Sequence, residues 1–168
     1  MRKLNLIPTV VLSSICIIVA LLLSVVNGFT GAVIEGNSSN KTNEALAEVL
    51  PGAENFTKLD VNNYDFYSEV IEAYEAENGG LVFKMSVVGY KAGLVILCGV
   101  DADGNIAGSK YLESQETNGV ENKLDGFYNG KNAENIKAEI IAGSTKTSKA
   151  YFKAIEIALD SFTVVKEG

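Results

Sequence analysis

From Leu6 to Val26 the chain reads LIPTVVLSSICIIVALLLSVV without a charged residue, and about 20 apolar residues are what a helix needs to cross the hydrocarbon layer. This pattern predicts a transmembrane helix. Arg2 and Lys3 precede the run and the first charge after it is Glu35, so the positive-inside rule puts the N-terminus in the cytoplasm and the rest of the chain outside. A cleaved secretory signal has a shorter apolar region, roughly 7–15 residues, ending in small residues at a cleavage site. Val26-Asn27-Gly28 fits that poorly, and Ile15 beside Cys16 speaks against a lipid anchor there. Pro8 falls in the first helical turn, where its missing N–H does no harm.

Beyond the run the pattern changes twice. Residues 1–27 read as the anchor, and residues 28–43, rich in Gly, Ser, Asn and Thr, as a linker. Residues 44–168 read as one domain. Glu44 to Leu50 has helical spacing and is stopped by Pro51-Gly52, while the acidic stretch Glu69 to Glu77 reads as connecting structure closed by a turn at Gly79-Gly80. Leu81–Val88, Ala92–Val100 and Ile106–Leu112 are β-rich runs separated by Gly89-Tyr90 and by the turn Asp101-Ala-Asp-Gly104, which predicts an antiparallel meander. After Thr147, apolar or small residues at Tyr151, Ala154, Ile155, Ala158, Leu159 and Phe162 have the spacing of an amphipathic helix packed on that sheet. The predicted fold class is α+β, an N-terminal transmembrane helix followed by one domain whose antiparallel sheet is packed by helices.

Composition narrows the chemistry. With no histidine in 168 residues, His-based acid/base work, Ser-His and Cys-His pairs and nearly all zinc and haem sites are excluded. The net charge of −7 argues against nucleic acid as a partner, which needs clustered cations. The two cysteines, Cys16 in the apolar run and Cys98 in a strand-like stretch, read as small buried hydrophobes rather than a disulfide or metal site.

The informative stretch is Glu139-Ile-Ile-Ala-Gly-Ser-Thr-Lys-Thr-Ser148: an apolar, strand-like approach, a glycine, then four hydroxyl side chains around a lysine at a helix start. Helix N-termini offer unpaired N–H groups and a favourable dipole, hydroxyls add donors, and Gly143 allows close approach, so a phosphate seat is one reading. Ordinary capping by Ser144 or Thr147 is another. A nucleotide-binding P-loop fails on spacing, because Thr145 and Ile140 stand where it requires glycines.

The same stretch resembles the flavinylation motif, Asp-x-x-Ser/Thr-Gly-Ala-Thr with x-Thr-Ser often following, of the FMN-binding domains in the G subunit of Rnf complexes and the C subunit of sodium-pumping NADH:quinone oxidoreductase. Gly143, Thr145, Thr147 and Ser148 match, and Glu139, Ala142 and Ser144 depart. A second resemblance runs from Gly89-Tyr90 through Gly104-Asn-Ile106 to Glu116-Thr117-Asn118-Gly119, similar to the family's strand, Asp-Gly turn, strand and Glu-Thr-Pro-Gly loop, with Asn118 for Pro and Glu121 for Gly. The resemblance implies covalent FMN on Thr145 through a phosphoester, a phosphate seat from Gly143, Ser144, Lys146, Thr147 and Ser148, and ring contacts from Glu116, Thr117 and Gly119.

It implies an electron-carrier subunit of a membrane Rnf-type ferredoxin:NAD oxidoreductase coupled to ion transport, with no catalytic residue of its own. Other membrane subunits of the complex and a flavin transferase would be its partners. A stand-alone flavinylated extracellular reductase and a sensory or structural ectodomain without flavin remain alternatives.

Overall fold

The computed structural model describes residues 11–20, 44–113 and 123–167. The chain divides into two units, Met1–Thr42 and Asn43–Gly168. In the first, residues 11–20 are helical, and Cys16 is exposed on that helix rather than buried as its apolar surroundings suggested. The rest of the run from Leu6 to Val26, and the linker, lie outside the described residues. Among the described residues no helix is long and apolar enough to cross a membrane.

The second unit is built on one five-stranded antiparallel sheet whose strands lie side by side in chain order: β1 Phe56–Leu59, β2 Val70–Ala76, β3 Leu81–Val87, β4 Leu94–Val100 and β5 Ile106–Glu113. The last three are the predicted meander. β2 corrects the reading of residues 69–77 as connecting structure, and β1 is a strand where none was predicted. Glu72 is tolerated in mid-strand because Lys58 and Lys84, from the strands on either side, both hydrogen-bond its carboxylate. Burial alone would push that carboxyl up, but the two ammonium groups outweigh it and hold Glu72 below the usual range.

Every residue of β4 is buried, because both faces of the sheet are covered. On one face the C-terminal helix, Thr145–Glu167, packs across β3 and β4. It sets Tyr151, Ala154, Ile155 and Ala158 against Phe83, Met85, Ile96 and Cys98, as the helical spacing predicted. On the other face lies the short helical segment 44–49, with Leu46, Val49, Leu50 and Ala53 against Val82 and Leu97. Gly99 and Gly108 are direct partners across β4 and β5. Both sit beneath Val49, where a Cβ on Gly99 would come within 2.3 Å of the Val49 carbonyl oxygen and one on Gly108 within 2.6 Å. The glycine pair is therefore what lets this backbone lie directly on the sheet.

Candidate functional site

The segment from Glu139 to Ser148 is not a strand leading into a helix. Residues 137–141 are irregular, and Ile140 is partly exposed. Lacking a strand partner, the approach is held by side chains instead: the Glu139 N–H donates to the Tyr128 hydroxyl (3.3 Å) and the Ile141 N–H to Ser148 Oγ (3.1 Å). The Ser144 N–H then closes a turn onto the Ile141 carbonyl (3.0 Å). Gly143, the third residue of that turn, has φ +82°, a left-handed conformation that an L side chain adopts only at a cost.

The helix begins at Thr145, one residue before the lysine of the motif. The Ser144 carbonyl accepts the first helical bond, from the Ser148 N–H (3.0 Å), which makes Ser144 the N-cap. The hydroxyls then fall into two classes. Thr145 is exposed and Ser144 half-buried, whereas Thr147 is only 3 % exposed and Ser148 not at all. Ser148 Oγ donates to the Ser144 carbonyl (3.0 Å) besides accepting from Ile141. A buried side chain of this kind supports the turn rather than reaching into solvent.

The first turn of the helix carries no acidic residue, and Lys146 and Lys149 are both exposed there. Cations at a helix N-terminus oppose the macrodipole, so this arrangement is suited to an anion. Lys146 Nζ also lies over the Tyr90 ring, 5.6 Å from its centroid, within the range of a cation–π attraction. The tip of the β3–β4 hairpin, one part of the second resemblance, is thereby brought beside the helix start. Glu116, Thr117 and Gly119 lie outside the described residues.

Sequence reasoning missed Asp125, Tyr128 and Tyr151 as supports of this region. Asp125 Oδ1 accepts from the Tyr111 N–H (3.0 Å) and from the Tyr151 hydroxyl (3.0 Å), tying β5 to the C-terminal helix. Burial pushes the Asp125 carboxyl up against the opposing effect of those two donors, and burial pushes the Tyr151 phenol up as well. A lone Asp before Gly126 carries no motif, so only its position in space reveals it. Cys98 is fully buried and its thiol is pushed up to about 12 by that burial, which leaves no thiolate chemistry. A cleft of about 300 Å³ lined by Tyr67, Ile136, Lys153, Glu156 and Asp160 lies further along the helix and includes none of residues 143–148.

Residues 89–160 match the family model of the FMN-binding domain. The chain is 26% identical over 183 residues to the G subunit of the Na(+)-translocating ferredoxin:NAD(+) oxidoreductase complex of Acetobacterium woodii, a match that covers 90% of this chain and 88% of that protein. It is 31% and 30% identical over 113 residues to the G subunits of the ion-translocating oxidoreductase complex from two strains of Cereibacter sphaeroides. Those matches cover 63% of this chain and about half of each relative, 52%. The matched region joins the Gly89-Tyr90 hairpin to the helix that begins at Thr145, so this part of the chain is similar to the FMN-binding domain and the chain as a whole is similar to the G subunits of ion-translocating oxidoreductase complexes.

Proposed function

We propose that this chain is the FMN-carrying electron-transfer subunit of a Rnf-type, ion-translocating ferredoxin:NAD oxidoreductase, with FMN esterified to Thr145. The observation that carries the reading is the exposed Thr145 hydroxyl at the start of a helix within a matched FMN-binding domain. The residues present suit a phosphorylated flavin. Gly143 has open space around it, with nothing within 4 Å of a Cβ built there, the first helical turn lacks acids, and Lys146 stands next to the acceptor. Thr147 is too buried to serve as the acceptor in its place.

Bound FMN would supply reversible one- and two-electron transfer, the chemistry that this chain's own side chains lack. The protein's part is to hold the cofactor. Gly143 and the N–H groups of the first helical turn would seat the phosphate, and Lys146 would offset its charge. Glu116, Thr117 and Gly119 are proposed ring contacts on the strength of the Glu-Thr-x-Gly resemblance. The other subunits of the complex and a flavin transferase are the proposed partners. The apolar run from Leu6 to Val26 is the proposed single-pass anchor, with the N-terminus cytoplasmic and the domain outside the membrane.

Peptide mass spectrometry on the protein from its native membrane tests the attachment. An FMN-sized adduct on the peptide containing Thr145, abolished by Thr145→Ala and kept in Thr147→Ser, is the expected result. An adduct that survives Thr145→Ala, or a native protein without any adduct, would overturn the assignment.

A further inference from the structure

We infer that Ser148 is the positioning residue for flavin attachment, holding the turn Ile141–Ser144 against the first helical turn so that Thr145 presents its hydroxyl. The inference rests on the proposal that Thr145 is the acceptor and gives Ser148 a different role from the phosphate contact that its place in the motif implies. Its Oγ is wholly buried, its proton is donated to the Ser144 carbonyl, and a lone pair is taken by the Ile141 N–H. The Ser144 carbonyl receives both the N–H and the Oγ–H of Ser148, each at 3.0 Å. With the Ser144 N–H returned to the Ile141 carbonyl, the four residues before the acceptor form a closed hydrogen-bonded unit. This unit fixes the backbone entering Thr145, while the buried Thr147 is withdrawn from competition.

The step served is a phosphoryl transfer. Thr145 Oγ1 attacks the flavin-side phosphorus of a flavin dinucleotide held by the transferase and a new P–O ester bond forms. The pyrophosphate P–O bond breaks, and the nucleoside monophosphate leaves with its electron pair. The hydroxyl proton passes to a base of the transferase, and the flavin is neither oxidised nor reduced. Such a step is sensitive to the direction of the attacking oxygen, and a misplacement of about 1 Å can cost roughly a hundredfold in rate. A clamp on the preceding turn therefore acts on turnover rather than on docking of the two proteins.

The test measures transfer from flavin dinucleotide to the full-length chain by a flavin transferase, following intact mass while the chain's concentration is varied. Ser148→Ala is expected to lower kcat by about tenfold or more while KM changes by less than about twofold. Ser148→Thr keeps the hydroxyl and restores most of the rate. Ser161→Ala removes a buried hydroxyl of the same helix that has no partner and behaves as wild type. Should Ser148→Ala fail to fold, Ser148→Cys replaces it, since a thiol of similar size is a poor donor and acceptor. In the unmodified wild-type protein the Ile141 amide exchanges slowly with solvent.

Wild-type rates in Ser148→Ala, or no recovery in Ser148→Thr, overturn the inference, as does equal slowing by Ser161→Ala or fast exchange at Ile141. A wild-type chain that takes up flavin elsewhere, or not at all, instead removes Thr145 as acceptor, and the Ile141 exchange still decides whether the clamp exists.

Discussion

Gly99→Ala probes the close contact between the sheet and the segment 44–50. The added Cβ would stand 2.3 Å from the Val49 carbonyl oxygen and 2.8 Å from its carbon, where relaxed non-bonded contacts need roughly 3.5 Å. The Val49 backbone must therefore retreat by about 1 Å. It cannot do so alone, because Leu46 and Leu50 on either side of it are fully buried. Overpacking of this kind costs ~1–3 kcal/mol, and the upper end applies because the obstructing atoms are backbone. For a domain of this size about 3 kcal/mol lowers Tm by roughly 10 °C. Thermal unfolding of the full chain by far-UV circular dichroism measures it. Attachment of flavin at Thr145 should be unaffected in the folded protein, since Gly99 faces the side of the sheet away from the C-terminal helix. A Tm within about 2 °C of wild type, or a loss of flavin attachment at unchanged stability, would refute the argument.

Two further outcomes follow from the site. Gly143→Ala is expected to cost about 1–2 kcal/mol in urea unfolding through backbone strain alone, since φ is +82° and a Cβ would meet no atom; wild-type stability would show that the turn is not left-handed there. Asp125→Asn should alter the pH profile. Burial raises the Asp125 carboxyl, so the folded protein takes up this proton at a higher pH than the unfolded chain does. Its contribution to stability therefore grows as pH falls through the window between the ordinary carboxylate value and the raised one. The amide keeps an acceptor for Tyr111 and Tyr151 but has no proton to take up, so denaturant midpoints measured across that window should lose this slope; an unchanged slope would show that Asp125 does not titrate there.

The meander β3–β5 was legible as β-rich runs separated by turn residues, and the C-terminal helix because its apolar positions repeat with the helical period. β2 was not. Val70 and Ala73, three residues apart, face the same core, because the register with β3 shifts between Val70 and Glu72 and breaks the alternation. With four acidic residues between 69 and 77, composition then outweighed pattern. β1 has four residues, with Phe56 packed on one face of the sheet and Leu59 on the other, too little for a periodic signal. At the site, motif spacing singled out Thr145 as the expected acceptor but placed Thr147 and Ser148 together in the phosphate seat without saying which hydroxyls reach solvent. Burial supplies that distinction, with Thr145 exposed and Thr147 and Ser148 buried. Ile140-Ile141 looked like a strand because two β-branched residues come just before Ala142-Gly143, yet the Ile141 backbone bonds to Ser148 and Ser144, and the neighbouring Glu139 N–H to Tyr128, rather than to a sheet.

The order of elements also sets when the proposed acceptor site can come into being. All five strands precede the helix that closes their core and carries Thr145. During synthesis the sheet can therefore pair strand by strand from neighbouring hairpins, but its inner face stays open until the ribosome has released residues 145–167. The turn before Thr145 depends on Ser148 of that same helix, so it has no partner until then. On the proposal that Thr145 carries flavin, attachment would be a late event, following translation of the whole domain, and a chain stalled before the helix would offer a transferase nothing to modify.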